Sequence, residues 1–295
     1  MVLPTQLSLS SDGIYISKNF DKPTQQVQGF YKNSPFPNYE GKEDKSKLME
    51  LKSQNQYLQY VLDLIGNGKD VIEIGSGTSQ FTNMIAASSN NRVIAFDATY
   101  ESLLLGKKYS DRNNLTNTSF IQGDIANIND IFKENTFDFI ICSGVLHHTA
   151  DPYGNFCKIT KLLKDGGIII LGLYNTYGRL YSKMIKFFFK IFGKKVLNYL
   201  DPVLNDLKIS DNQKQSWVQD QYQHPIESTH TFKEVQKWLH INNLTPFYSI
   251  PFLKDKYLKN NNFISTFNKF LVEIGMNFYN LGFDGGLFVI IAKKK

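Results

Sequence analysis

Three acids, two glycines and a pair of histidines carry the spacing in this chain from which chemistry can be read. The run Val71-Ile72-Glu73-Ile74-Gly75-Ser76-Gly77-Thr78-Ser79-Gln80 is a short apolar segment that ends in an acid and opens into a Gly-x-Gly turn. Glycines at 75 and 77 permit positive φ and leave no Cβ between the backbone and a ligand lying across the end of a strand. A dinucleotide site would need a third glycine where Gln80 stands, and Glu73 would repel a phosphate while favouring a cationic or hydroxylated ligand. Asp97 closes the next apolar run, 24 residues beyond Glu73. There a single carboxylate can hold a ribose diol through two hydrogen bonds, a spacing that fits adenosine. Asp124 ends the third run. Either acid alone would ordinarily be a loop acid or a helix cap; their order after Glu73 favours ligand contact. His147 and His148 follow the fourth run, where a neutral imidazole can take the proton of an attacking hydroxyl or amine. The plainer alternative is that one of them only packs or orients the loop.

The elements that must position these residues alternate. Val71–Ile74, Arg92–Asp97, Ser119–Ile125 with its exit loop, Phe137–Cys142 and Ile168–Leu173 read as buried strands. Helices are expected at Lys45–Ile65, Phe81–Ala87, Glu101–Tyr109, Tyr153–Leu163 and Thr231–Ile241. Lys164-Asp165-Gly166-Gly167 reads as the turn before the fifth strand, and Thr245–Ile250 and Gly286–Ala292 as closing strands. Residues 1–45 show no long periodic segment: Leu7–Ser17 suggests a small hairpin, and Phe30–Tyr39 is an aromatic arm stiffened by Pro35 and Pro37. That arm either straps its rings onto the core or closes over a ligand with Tyr31, Phe36 or Tyr39.

Acid-x-Gly-x-Gly-x-Ser at 73–79, Asp97, Asp124, Leu146-His147-His148 and Leu163-Lys164-Asp165-Gly166-Gly167 together resemble the class I S-adenosylmethionine-dependent methyltransferases. Within that family they are most similar to the small-molecule branch that includes the quinone-biosynthesis enzymes. The family's first motif has a third glycine where this chain has Ser79. The resemblance implies an α/β, doubly wound, Rossmann-like sheet of seven strands, mostly parallel with one antiparallel strand, and helical insertions forming a lid. It implies S-adenosylmethionine as cofactor, with contacts from Glu73, Gly75, Ser76, Gly77, Asp97, Ala98, Asp124, Ile125 and Ser143. The Asn/Asp-Pro-Pro-aromatic run of amino-group methyltransferases is absent from 143–145, which argues against transfer to DNA bases. Quinone O-methyltransferases carry Glu-His where this chain has His147-His148, so their substrate does not transfer.

Domain boundaries follow: a 1–45 arm, a 46–175 cofactor-binding core, a 176–228 basic helical insert and 229–295 completing the fold around a helical insertion at about 252–282. Between 176 and 200 stand six basic residues and no acid; with 33 basic and 27 acidic residues in all, the net charge of +6 resides there. Lys183, Lys186, Lys190 and Lys194 recur at helical spacing, opposite Met184, Ile185, Phe188, Phe189, Ile191 and Phe192. This helix is a lid, an interfacial membrane contact over 180–200, or an RNA-facing patch. Tyr174, Asn175, Tyr177 and Arg179, with Tyr31 and Tyr39 from the arm, are candidate substrate contacts. So are His224, Glu227 and His230; Pro225 disfavours one uninterrupted helix there and no fourth ligand is evident, so a metal is not expected. Two cysteines, no visible signal peptide and no apolar run near the roughly 18 residues that span a bilayer indicate a soluble cytoplasmic protein, or one peripheral at a membrane's inner face.

The expected activity is methyl transfer to a small, lipophilic acceptor at oxygen or carbon, with His147 or His148 as base. An RNA methyltransferase and a non-catalytic cofactor-binding subunit are the alternatives.

Overall fold

The computed structural model describes residues 7–32, 50, 53–193, 196–205, 210–279 and 285–295. Nine strands form one sheet in the order β1-β2-β5-β4-β3-β6-β7-β9-β8, two more than the seven expected. By Cα proximity the chain divides into two compact units, residues 1–142 with 154–169, and residues 143–153 with 170–295.

In the first unit, β3 (Asp70–Ile74), β4 (Arg92–Asp97), β5 (Thr118–Gln122) and β6 (Phe137–Ser143) run parallel through the β5-β4-β3-β6 order, with Ile72 paired to Ile94 and to Ile140. Val71, Ile72, Ile74, Phe120 and Ile140 are buried, as strands covered on both faces require. The two additional strands are the Leu7–Ser17 hairpin: β1 (Leu7–Leu9) pairs antiparallel with β2 (Tyr15–Ser17), and β2 pairs parallel with β5. Ile14 holds it there by packing against Ala95, Leu103 and Phe120.

Helix α1 (Lys22–Tyr31) occupies a region in which no periodic segment was expected. It is mainly polar and buries no residue, but its start is encoded: Asp21 accepts from Thr24 N at 2.7 Å and Pro23 stands in the first turn. The helix expected over Lys45–Ile65 is broken at Asn55: residues 50, 53 and 54 are helical, and α2 (Gln56–Ile65) begins after Asn55, which is in extended conformation and caps it by accepting from Tyr57 N and Leu58 N. The earlier part of that expectation, at 45–49, and Phe36 and Tyr39 of the arm lie outside the described residues. Helices α3 (Gln80–Ser88) and α4 (Tyr100–Arg112) follow β3 and β4, and α5 (Pro152–Lys161) precedes β7.

β7 (Leu163–Tyr174) begins five residues before the expected Ile168, because Lys164-Asp165-Gly166-Gly167 is part of the strand and not a separate turn. In the second unit it is followed by α6 (Leu180–Phe192), α7 (Asp211–Val218), α8 (Phe232–Ile241), β8 (Leu244–Ile250), α9 (Phe263–Tyr279) and β9 (Leu287–Lys294). β8 and β9 pair antiparallel. Among the described residues no helix is long and apolar enough to cross a membrane.

Ser79, where the third glycine was missing, takes the left-handed conformation at φ 58. An L-residue there costs about 1 kcal/mol. Its fully buried side chain fits because α4 has Gly106 opposite: a methyl group added at Gly106 would lie 2.6 Å from Ser79 Cβ and 2.8 Å from Thr78 O. Gly106→Ala should therefore destabilise the chain by about 1–3 kcal/mol. Urea unfolding should show a smaller loss when the same change is made in a Ser79→Gly background; strictly additive losses would mean that the two sites do not share this space.

Candidate functional site

In the first unit the glycine turn is held by the end of the neighbouring strand. Gly75 N and Ser76 N donate to Phe96 O, and the Asp97 carboxylate accepts from Gly77 N at 2.8 Å and from Thr99 N at 2.7 Å. Gly75 and Gly77 both have positive φ, at 69 and 51. Glu73 reaches the first turn of α3, where Thr82 N (2.8 Å) and Thr82 Oγ1 (2.5 Å) donate to it. Loss of hydration raises the Glu73 pKa to about 7; the Thr82 bonds oppose the shift and Asp97 adds to it. Loss of hydration likewise raises the Asp97 pKa, against its backbone donors. Glu73 and Asp97 are mostly but not completely buried, and a carboxylate that holds two donors keeps further acceptor capacity beside the bare backbone turn.

Asp124 is buried and doubly engaged, accepting from Ala126 N (2.8 Å) as the cap of a 3-10 turn and from Asp21 N (2.9 Å). Its neighbour Ile125 is also buried. The Ala98 carbonyl accepts from Gln28 Nε2 and Gln122 Nε2. Tyr31 ends α1 with its ring edge-on to Phe30. Donors and acceptors therefore fit a nucleoside with a charged tail: Gly75 to Gly77 supply the uncovered backbone, Glu73 and Asp97 the acceptors.

The second unit gathers most of the remaining candidates into one buried polar cluster. Tyr174 ends β7, and its ring is stacked on His147 with centroids 3.8 Å apart; His147 meets His148 at 4.2 Å, and His148 meets His224 at 3.7 Å. Arg179 lies over the other partner of this stack, its guanidinium carbon 3.6 Å from the centre of the Tyr174 ring. Expected as a substrate contact, Arg179 is 1 % exposed and fully engaged. It makes a two-pronged pair with Glu227 (3.1 and 3.2 Å) and donates to Gln221 Oε1 (2.8 Å), Gln221 O and Gly285 O. Burial by itself would raise the Glu227 pKa, but Arg179 and then Lys186 outweigh it and hold it at about 2. Asn175 is also internal, accepting from Tyr177 N and Gly178 N and donating to Glu273. Tyr177 sets its ring edge-on to Phe270. His230 bridges Ser228 Oγ (2.9 Å) and Glu234 (3.0 Å). Ser143 stands exposed at the end of β6. Among the described residues no group of three or more His, Cys, Asp or Glu is arranged to hold a metal.

The two adjacent histidines differ in tautomer. His147 Nδ1 accepts from Tyr174 N (3.3 Å), which places the proton on Nε2, a buried nitrogen with no hydrogen-bond partner among the described residues. His148 Nδ1 faces Ile226 O at 2.8 Å, so it carries the proton and Nε2 keeps its lone pair. Loss of hydration lowers both pKa values: His147 well below the usual 6.5, helped by the charges of its neighbours, and His148 to about 4, against the Ile226 bond. Loss of hydration and His148 lower His224 to about 3. Sequence reading missed Thr82 and Glu273, which act on Glu73 and Asn175. Neither has a local motif, and Glu273 lies 98 residues from its partner.

Since the folded chain refuses protons that the unfolded chain binds below about pH 6.5, these histidines contribute stability that is complete above that pH and is lost as the pH falls toward 4 and then 3. Glu227 adds a further loss between 4.5 and 2. His148→Asn, which keeps a donor for Ile226 O, should flatten the dependence of melting temperature on pH between 6.5 and 4. An unchanged slope would mean that His148 titrates freely in the folded state.

The methyltransferase domain model matches residues 65–241, more than half of the chain. The mitochondrial ubiquinone biosynthesis O-methyltransferase of Dictyostelium discoideum is 24% identical over 115 residues, 37% of this chain and 36% of that protein. The tRNA (guanine-N(7)-)-methyltransferase of Cytophaga hutchinsonii is 29% identical over 163 residues, 54% of this chain and 68% of that protein. The match spans about half of the first curated relative's length, 47% of an uncharacterized Synechococcus protein. In fold the chain is similar to PKMT2 from Rickettsia typhi in complex with AdoHcy, with a TM-score of 0.54 and 16% identity over 93% of this chain and 52% of that one. With the acid, glycine turn and second acid arranged as above, the chain belongs to the S-adenosylmethionine-dependent methyltransferase family.

Proposed function

We propose that this protein transfers a methyl group from S-adenosylmethionine to a small, lipophilic acceptor, at oxygen or carbon, with His148 as the proton acceptor. The observation that carries this reading is the tautomer pair at the end of β6. His148 has its Nδ1 proton committed to Ile226 O at 2.8 Å, which leaves the acceptor lone pair on Nε2. His147, fully buried and packed edge-on against His148, orients that ring. Bound S-adenosylmethionine supplies an electrophilic methyl carbon whose departure turns a sulfonium into a neutral thioether. The chain's own contribution is alignment and removal of a proton. Glu73 and Asp97 hold the cofactor's polar groups, and Gly75 to Gly77 let it approach the backbone.

The cluster also favours a small acceptor over RNA. Within 176–200, Arg179 is buried in its pair with Glu227, and Lys186 joins the same carboxylate at 3.2 Å, so neither is available to a phosphate. Tyr174 is buried too, its hydroxyl kept protonated by burial and by Asp220, so it acts as ring surface and not as a base.

Asp97→Ala should abolish S-adenosylhomocysteine binding measured by calorimetry; unchanged affinity would remove Asp97 from the cofactor site. His148→Asn should preserve that binding and reduce turnover about 100-fold or more, while full activity would sink its assignment as base. The acceptor class is tested by incubating the protein with methyl-labelled S-adenosylmethionine and a cell extract. Label in the organic-solvent phase is expected. Ribonuclease-sensitive label in the acid precipitate would replace this reading with an RNA acceptor, and cofactor binding without any label would replace it with a non-catalytic subunit.

A further inference from the structure

Helix α9 is inside out. Its inward face carries Ser265, Lys269 and Glu273, all buried, whereas Phe263 (85 % exposed), Phe267 and Phe278 (75 % exposed) stand in solvent. At about 100° per residue those three rings share one stripe, opposite the buried lysine and glutamate. Polar anchors specify this orientation. Lys269 Nζ donates to Asn260 O (2.7 Å), Asn261 Oδ1 (2.9 Å) and Gln236, and Glu273 accepts from Asn175 Nδ2 (2.9 Å) and Phe232 N (2.6 Å). Rotating the helix to hide its phenylalanines would strip two charges of these partners, at a greater cost than leaving rings in water.

Helix α6 buries an apolar side but likewise leaves an apolar stripe in solvent. Its buried side packs Ile185 against Leu197 and Tyr222, while Leu180, Met184, Phe187 and Ile191, spaced four, three and four apart, form an exposed stripe on the other side. The two helices meet through Asn277 of α9, which accepts from Tyr181 N (3.0 Å) and donates to Tyr177 O (2.8 Å). Two exposed apolar stripes held together in this way exceed the scattered exposure ordinary for a soluble surface. Lys183 and Lys190 flank the α6 stripe, Lys254 and Lys256 stand exposed before α9, and 176–200 contains no acid.

We infer that α6 and α9 together form a docking face that lies in the surface of an anionic lipid bilayer. The phenylalanines enter the boundary between headgroups and acyl chains, and the flanking lysines meet anionic headgroups. Charge separates this occupant from a second copy of the chain, which would bring those lysines against their own kind. The helices lie in the plane, since no described helix is able to span. This face is independent of the histidine cluster and of the acceptor's identity.

The test is flotation of the full chain, without cofactor or acceptor, with vesicles of phosphatidylcholine alone and of phosphatidylcholine with phosphatidylglycerol. Wild type should float with the anionic vesicles at least about tenfold more strongly than with the neutral ones. Phe187→Glu and Phe267→Glu should each lower that partitioning about tenfold while circular dichroism and S-adenosylhomocysteine binding remain those of wild type. Failure of wild type to float with anionic vesicles, or flotation that neither substitution weakens, would overturn the inference. A lipid-free dimer that dissociates on the same substitutions would assign the face to a second copy instead.

Discussion

The second unit is organised around one buried cation. Arg179 has almost no contact with water, and a guanidinium in that position is tolerable only if every donor finds an acceptor and the charge finds an opposite. Glu227 supplies the charge, Gln221 and the Gly285 carbonyl take further donors, and the Tyr174 ring supplies a π face. These partners come from segments far apart in the chain, so satisfying one side chain fixes the end of β7, the loop around 221–227 and the entry to β9 at once. The histidines inherit their surroundings from that requirement. Tyr174 is placed by Arg179, His147 stacks on Tyr174, His148 meets His147 edge-on and His224 lies against His148, in a setting too dry and too positive to protonate them.

The first unit depends on a different economy of space. Its turn needs a left-handed residue at position 79, and a serine meets that need only because α4 withdraws to a glycine at 106. The strain of the one position is offset by the absence of a side chain at the other. Around this turn Glu73 and Asp97 are bound by backbone donors yet keep part of their surface open, the condition a carboxylate must meet to be both positioned and available. Asp124 is committed further, to a cap and to the segment leading into α1, and so ties the N-terminal hairpin region to the end of β5.

Helix α9 shows that burial in this protein follows polar satisfaction as well as hydrophobicity. Its lysine and glutamate are inside because Asn260, Asn261, Asn175 and a backbone amide are there to receive them, and its phenylalanines are outside as a consequence. The basic helix α6 divides its apolar residues in the same spirit. A lid, one of the three readings open for it, would turn its apolar face inward, whereas the helix buries Ile185 and leaves Met184, Phe187 and Ile191 exposed.

The alternation of strands and helices from Gln56 to Tyr174, the glycine turn and the order of Glu73, Asp97 and Asp124 were determined by local sequence. Parallel strands buried on both faces must be apolar runs, and a turn that approaches a ligand must lack Cβ atoms. The two extra strands were legible as a hairpin, but its place beside β5 was not, because that pairing depends on Ile14 finding a cluster assembled from three other elements. Helix α1 escaped notice since it buries nothing and is a short, mainly polar segment, although Asp21 and Pro23 mark its start. In the second unit, sequence determined which residues were chemically notable and tertiary structure decided what they do. Arg179, Glu227 and Asn175 look like surface contacts in a loop and are internal supports. The protonated nitrogen of each histidine depends on a backbone group, Tyr174 N or Ile226 O, that lies 27 or 78 residues away. Such pairings carry no sequence signature, because a backbone amide or carbonyl is the same whatever residue bears it.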